Sequence, residues 1–164
     1  MENLWAPWRS IYIQNTTNKS NEGECLFCRL HNEHQDEKNL IVKRSKFSFV
    51  VLNAFPYNAG HVMVVPYRHV PSIEVLSDDE MIDVFHLVKA SIEAIRKAYN
   101  PQGFNVGINI GRVAGAGVEN HVHIHIVPRW NGDANFMPVI SNTKVISEAL
   151  VDTYSKLYEK LKEE

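Results

Sequence analysis

The run His121, Val122, His123, Ile124, His125, Ile126, Val127 constrains this chain more than any other segment. Side chains on a β-strand alternate between its two faces. The alternation predicts a strand over 121–127 with three histidines on one face and Val122, Ile124 and Ile126 turned into a core. Three histidines on one face are hard to explain by packing. Single ones, such as His31, His34 and His86, read as ordinary surface or core residues. Two chemistries compete for the row. Histidines alternating along a strand can chelate zinc. Alternatively, one imidazole is a nucleophile and its neighbours bind or polarise phosphate. Same-face neighbours lie roughly 6–7 Å apart, which is awkward for three ligands on one ion but suits an extended polyphosphate. The turn just before, with Gly111, Gly115 and Gly117, lets backbone N–H groups approach an anion, and Arg112 adds charge.

The rest of the chain supplies a scaffold for such a strand. Residues 47–52 are β-rich and are closed by turn residues over 53–60. Residues 61–65 read as an antiparallel neighbour halted at Pro66. Ser77 with Glu80 forms a capping box. Met81, Val84, Phe85, Val88, Ile92 and Ile95 then recur at a helical period until Asn100 and Pro101 end the helix. Residues 104–110 are a strand. Ile146, Leu150, Tyr154, Leu157 and Leu161 fit an amphipathic C-terminal helix. Strands, helix, strands, helix is the pattern of an α+β fold with a mainly antiparallel sheet.

Composition excludes several classes. The 164 residues fit one domain, and 45% apolar with 22% charged residues is ordinary for a soluble globular chain. A net charge of −2 argues against a broad nucleic-acid-binding surface. No apolar run reaches membrane-spanning length. The start lacks the pattern of a signal peptide, so a cytoplasmic location is expected. Residues 14–24 are polar and are expected to form a loop. The only cysteines, Cys25 and Cys28, then read as a metal or redox pair rather than a staple.

Residues 121–127 match the signature of the histidine-triad family, in which three histidines alternate with apolar residues. Pro128 and Arg129 follow as in many members. Asn53, Gly60, His61, Val64, Val65, Pro66, His69, Asn109, Ala114 and Gly115 match further. The chain thus resembles that family over roughly 25–130, inside a single domain of 1–164. Two flanking stretches, Leu4 to Arg9 and Arg129 to Phe136, are similar to a bacterial branch that includes phosphorylases of diadenosine tetraphosphate.

The resemblance implies an antiparallel sheet of about five strands, a homodimer in which the long helix takes part, and a nucleotide substrate. It implies His123 as nucleophile, His125 as contact to the phosphate or bridging oxygen, and His61 as a further active-site histidine near the phosphates. Asn109 would donate to phosphate and Asn53 would bond the ribose hydroxyls. Phe49 and Leu52 are candidates for an apolar base slot. The hydroxyl or glutamine that many members place just before the triad is missing from residues 114–120, so backbone N–H groups at Ala116 and Gly117 are expected to take its place. A structural zinc on Cys25, Cys28, His69 and His121 is likewise implied, with His31 and His34 as competing ligands. The expected activity is cleavage of a nucleotide phosphoanhydride, such as that of a dinucleoside polyphosphate. A phosphoramidate hydrolase, a nucleotide-binding regulatory module and a zinc hydrolase are the rival readings.

Overall fold

The structure is a computed structural model and describes residues 24–134 and 145–163. The segment Leu4 to Arg9, most of the polar stretch 14–24, and Asn135 and Phe136 lie outside the described residues. The chain order is α1 (Leu26–Asn32), β1 (Ile41–Arg44), β2 (Ser48–Leu52), β3 (Val62–Pro66), α2 (Asp78–Tyr99), β4 (Gly103–Ile108), β5 (Ile124–Arg129) and α3 (Leu150–Lys162). Short 3₁₀ turns over Ile73–Val75 and Arg112–Ala114 punctuate it. The strands form one sheet in the order β1-β2-β3-β5-β4, every pair antiparallel. This is the expected α+β arrangement.

The alternation of side chains divides the sheet into two working faces. Val50, Leu52, Val62, Val64, Ile124 and Ile126 point one way and pack against Val84, Leu87, Val88 and Ile95 of α2 and Tyr154, Leu157 and Leu161 of α3. Phe49, Val51, Met63 and Val65 point the other way and pack with Phe27 of α1. β2 and β3 are therefore buried on both sides, which is why they read as unbroken apolar runs. His125, whose partner across the ladder is Met63, shares the α1 face.

Local chemistry fixes the ends of α2. The Ser77 side chain accepts from the Glu80 N–H, and the Glu80 carboxylate accepts from the Ser77 N–H. Arg68 donates to both Glu80 oxygens, at 2.8 and 2.6 Å, and this pair holds the Glu80 carboxyl down at about 2. Asn100 takes a left-handed φ of 45° and closes the helix before Pro101. Asp83 ties the helix to the β1–β2 turn by accepting from Ser45 Oγ, Ser48 Oγ and the Phe47 N–H.

The structure corrects two expectations and sorts the apolar residues of α2 into buried and exposed. β5 begins at Ile124, not His121, because the Val122 N–H donates instead to the Val70 carbonyl at 2.8 Å. Phe85 is 49% exposed, because the buried stripe of α2 runs through Val84, Leu87, Val88, Ser91, Ala94 and Ile95. Phe49 is fully buried away from the site and stacks on Tyr67, so it does not line a base slot.

Candidate active site

Three segments meet on the α1 face of the sheet: α1 itself, the β2–β3 connection over 53–61, and the approach to β5. Between them opens a cavity of about 510 Å³. Its inner end carries His123 and His125, its walls carry Phe27, Leu52, Asn53, Tyr57 and Met63, and Gly115, Gly117 and Val118 close one side. Such a volume lies within the range of small-molecule sites.

Hydrogen bonds assign the histidine tautomers. His123 is 3% exposed, and its Nδ1 lies 2.9 Å from the His121 carbonyl oxygen. A carbonyl only accepts, so His123 carries its hydrogen on Nδ1 and keeps a lone pair on Nε2. Burial lowers its pKa, so the lone pair persists near neutral pH. The Tyr57 N–H donates to His61 Nδ1 at 3.1 Å. Neutral His61 therefore holds its hydrogen on Nε2, which lies 3.0 Å from His125 Nδ1. His125 accepts there and carries its own hydrogen on Nε2. His61 is 1% exposed and stands behind His125 rather than on the cavity wall. Burial, with the neighbouring imidazoles, pushes its pKa down to about 3, so it remains neutral.

Asn53 lines the cavity. Its Oδ1 accepts from the Phe55 N–H at 2.9 Å, which leaves the amide Nδ2 as the group aimed at a ligand. Asn109 Nδ2 donates to the Gly115 carbonyl at 3.4 Å and braces the glycine-rich turn. Gly117 lines the cavity, whereas the Ala116 N–H is engaged inside the turn with the Gly111 carbonyl at 3.4 Å. Leu52 borders the cavity, but its side chain packs in the core under α2 and α3.

Sequence reasoning missed Leu26, Phe27, Leu30 and Leu40, which build most of the apolar slot, and Tyr57, which stacks on His125 with ring centroids 6.0 Å apart. The residues between the two cysteines were the available signal. Cys25 and Cys28 face His69 and His121, and the helix they open turns its apolar residues into the pocket.

Beside the cavity, Cys25, Cys28, His69 and His121 come together with their four ligand atoms all within 4.8 Å of one another. Cys25 Sγ lies 3.3 Å and Cys28 Sγ 3.6 Å from His121 Nδ1, and Cys28 Sγ lies 3.4 Å from His69 Nδ1. A tetrahedral site with bonds of 2.0–2.3 Å has edges of about 3.3–3.8 Å, so the donor set fits a metal ion. His121 Nε2 donates to the Pro66 carbonyl at 2.8 Å, which leaves Nδ1 with its lone pair facing the thiols. That is the arrangement of a metal-bound histidine held by an outer partner. Burial and the adjacent Cys25 raise the Cys28 thiol to about 11 in the absence of a cation.

His31 and His34 do not join this group. His31 stacks on Tyr67 and meets Arg44 Nη1 at 2.8 Å, and His34 is exposed. Nor do the three triad histidines converge on a common point, since the ring nitrogens of each engage a different partner.

A row of three histidines, two of them buried, a β-sheet that presents them and a slot beside them define a nucleotide-processing class of α+β protein. The profile of the HIT domain matches residues 34–132, and the chain belongs to the HIT family. It is 40% identical over 158 residues to the AP-4-A phosphorylase of Mycobacterium tuberculosis strain H37Rv, covering 93% of this chain and 80% of that protein. It is 39% identical over 90 residues to the asymmetrical bis(5'-nucleosyl)-tetraphosphatase of Schizosaccharomyces pombe, covering 55% of this chain and 49% of that one. Among solved structures, the histidine triad nucleotide-binding protein ST2152 of Sulfolobus tokodaii superposes with a TM-score of 0.69 at 25% identity, over 85% of this chain and 93% of that one.

Proposed function

We propose that this protein cleaves dinucleoside polyphosphates, such as diadenosine tetraphosphate, through a nucleotidyl intermediate on His123 that water or phosphate then releases. The observation that carries this reading is the pair of opposite tautomers on the cavity wall: a lone pair on His123 Nε2 beside an N–H on His125 Nε2. The names of the relatives in M. tuberculosis and S. pombe support the substrate class.

The chemistry follows from those two atoms. His123 Nε2 attacks the α-phosphorus in line and forms a P–N bond as the bond to the bridging oxygen breaks. The departing polyphosphate leaves as an anion, and the N–H of His125 Nε2 donates a hydrogen bond to its freed oxygen. Water or phosphate then attacks the phosphoramidate and frees the nitrogen. Two displacements replace one harder one. Asn53 Nδ2 holds the ribose, the slot of Leu26, Phe27, Leu30 and Leu40 holds the base, and the Gly117 N–H contributes to phosphate binding. Asn109 acts by bracing the glycine turn.

Zinc is the metal this reading places on Cys25, Cys28, His69 and His121. When bound, it supplies a structural brace between α1 and the approach to β5, since four protein ligands leave no open position for chemistry. The protein acts as a homodimer in the cytoplasm on this reading. The exposed Ile82 and Phe85 of α2 and Val106 of the edge strand β4 offer apolar surface for pairing.

The test is product analysis with diadenosine tetraphosphate, with and without inorganic phosphate. ADP and ATP that appear only with phosphate define a phosphorylase, and products formed equally in water define a hydrolase. The His123→Asn variant is expected to keep nucleotide binding and lose turnover by at least about a thousandfold. Absence of turnover in both conditions, or substantial turnover by the variant, overturns the reading.

A further inference from the structure

The strand that carries His125 ends in a polar knot that no step above uses. Asp133 Oδ2 accepts from Arg129 Nε at 2.6 Å, from Asn58 Nδ2 at 2.8 Å and from the Trp130 N–H at 3.2 Å. Its Oδ1 accepts from Arg129 Nη2 at 2.8 Å. Arg129 holds the Asp133 carboxyl well below the usual carboxylate range, so the acceptor is a standing anion. The Asn58 amide makes a second bond, to the Pro128 carbonyl at 3.0 Å. Both amide hydrogens of a residue only 8% exposed are thus committed to the end of β5.

Asn58 lies in the turn that aims His61. The His61 N–H donates to the Asn58 carbonyl at 3.2 Å, and the Tyr57 N–H beside it donates to His61 Nδ1. Gly60, at φ +80°, packs this turn against Pro128 and Tyr99. A continuous line of bonds therefore runs from Asp133 through Asn58 to the Tyr57 N–H, His61 and His125. What the line transmits is a choice of tautomer. With the Tyr57 N–H in place, His61 Nδ1 must be an acceptor, Nε2 a donor, and His125 Nδ1 an acceptor in turn. With that N–H displaced, His61 can hold its hydrogen on Nδ1. His125 can then donate from Nδ1 and present a lone pair at Nε2, the opposite of what a departing phosphate needs.

We infer that Asp133 and Asn58 are positioning residues that fix which nitrogen of His125 carries the hydrogen, and so decide whether the leaving group meets a donor. The inference rests on the reading of His125 as that donor. A plain brace for the chain after β5 would make the same bonds, and the two ideas part on the leaving group. The phenyl ester of AMP must expel a strongly basic phenolate that depends on a donor. The p-nitrophenyl ester of AMP expels a weakly basic phenolate that needs little help.

The experiment compares wild type, Asp133→Asn and Asn58→Ala on both substrates, and reads the ¹⁵N spectra of the histidine side chains without substrate. Both variants are expected to lose about 10–100-fold in kcat on the phenyl ester, and less than about threefold on the p-nitrophenyl ester, with little change in KM. Wild-type His125 is expected to show its hydrogen on Nε2, and the variants a mixture of tautomers. Equal losses on the two substrates overturn the inference, as does a wild-type His125 protonated on Nδ1 or a tautomer that neither variant alters. If wild type cleaves neither ester, the spectra decide the positioning on their own, and if it also leaves diadenosine tetraphosphate intact, the functional reading fails.

Discussion

His61 offers a sharp thermodynamic test because it is a buried histidine held neutral. Its pKa stands at about 3 in the folded protein, against about 6.5 for an unperturbed side chain. The folded pKa is the lower, so between these values the unfolded chain binds the proton and the folded chain does not. Stability from this group is complete above about pH 6.5 and is lost as pH falls toward 3, at about 1.4 kcal/mol per pH unit. At pH 5 the loss from His61 alone is about 2 kcal/mol. The perturbation is His61→Asn, because an asparagine Oδ1 can still accept from the Tyr57 N–H but does not titrate. At pH 7.5 the variant is expected to be the less stable, through lost packing around a side chain 1% exposed. On moving to pH 5 the gap should close by about 2 kcal/mol, or about 1 M in the urea midpoint. The other buried histidines and the thiols titrate in both proteins, so they cancel in the difference. Parallel curves for the two proteins between pH 7.5 and 5 would refute the claim that His61 is buried uncharged, and with it the tautomer assigned to His125.

Two further outcomes follow from the same geometry. Cys25→Ser is expected to lower the bound zinc measured by elemental analysis and to depress the melting temperature before it affects kcat, and full zinc retention would exclude Cys25 as a ligand. Gly60→Ala puts a Cβ 3.3 Å from both Pro128 Cγ and Tyr99 Cε2 on a residue at φ +80°. It should cost about 1–2 kcal/mol from the backbone conformation alone, read by urea unfolding, and an unchanged midpoint would show that the turn relaxes freely.

Long periodic features were legible in the sequence and short ones were not. The apolar runs of β2 and β3, the capping box at Ser77 and the stripe through Tyr154, Leu157 and Leu161 each repeat a pattern often enough to exceed chance. α1 has only seven residues and β1 four, too few for any period to declare itself. α1 nonetheless builds one wall of the cavity, so that wall was hidden while the histidine end was visible. The exposure of Phe85 was hidden for a related reason. Apolar residues cover two adjacent strips of α2, and only the packing of α3 beside Ala94 and Ile95 shows which strip is interior. The Asp133 knot was out of reach because residues 58 and 133 are brought together by the pairing of β3 with β5.

The shortened β5 explains why an alternation can be functional without being a strand throughout. At His121 the main chain leaves the ladder, and its groups become available for other work. Its carbonyl accepts from His123 Nδ1, its Nε2 donates to Pro66, and its Nδ1 faces the two thiols. Any residue could offer that carbonyl, but the His121 side chain also places a nitrogen beside two cysteines and His69. On the proposed reading, the first histidine serves the metal group and the second supplies the lone pair that the first one's backbone exposes. The third supplies the donor that His61 enforces. The spacing of two serves all three, because it puts one residue's carbonyl within reach of the next histidine's ring and returns the third histidine to the paired strand, where His61 can reach it.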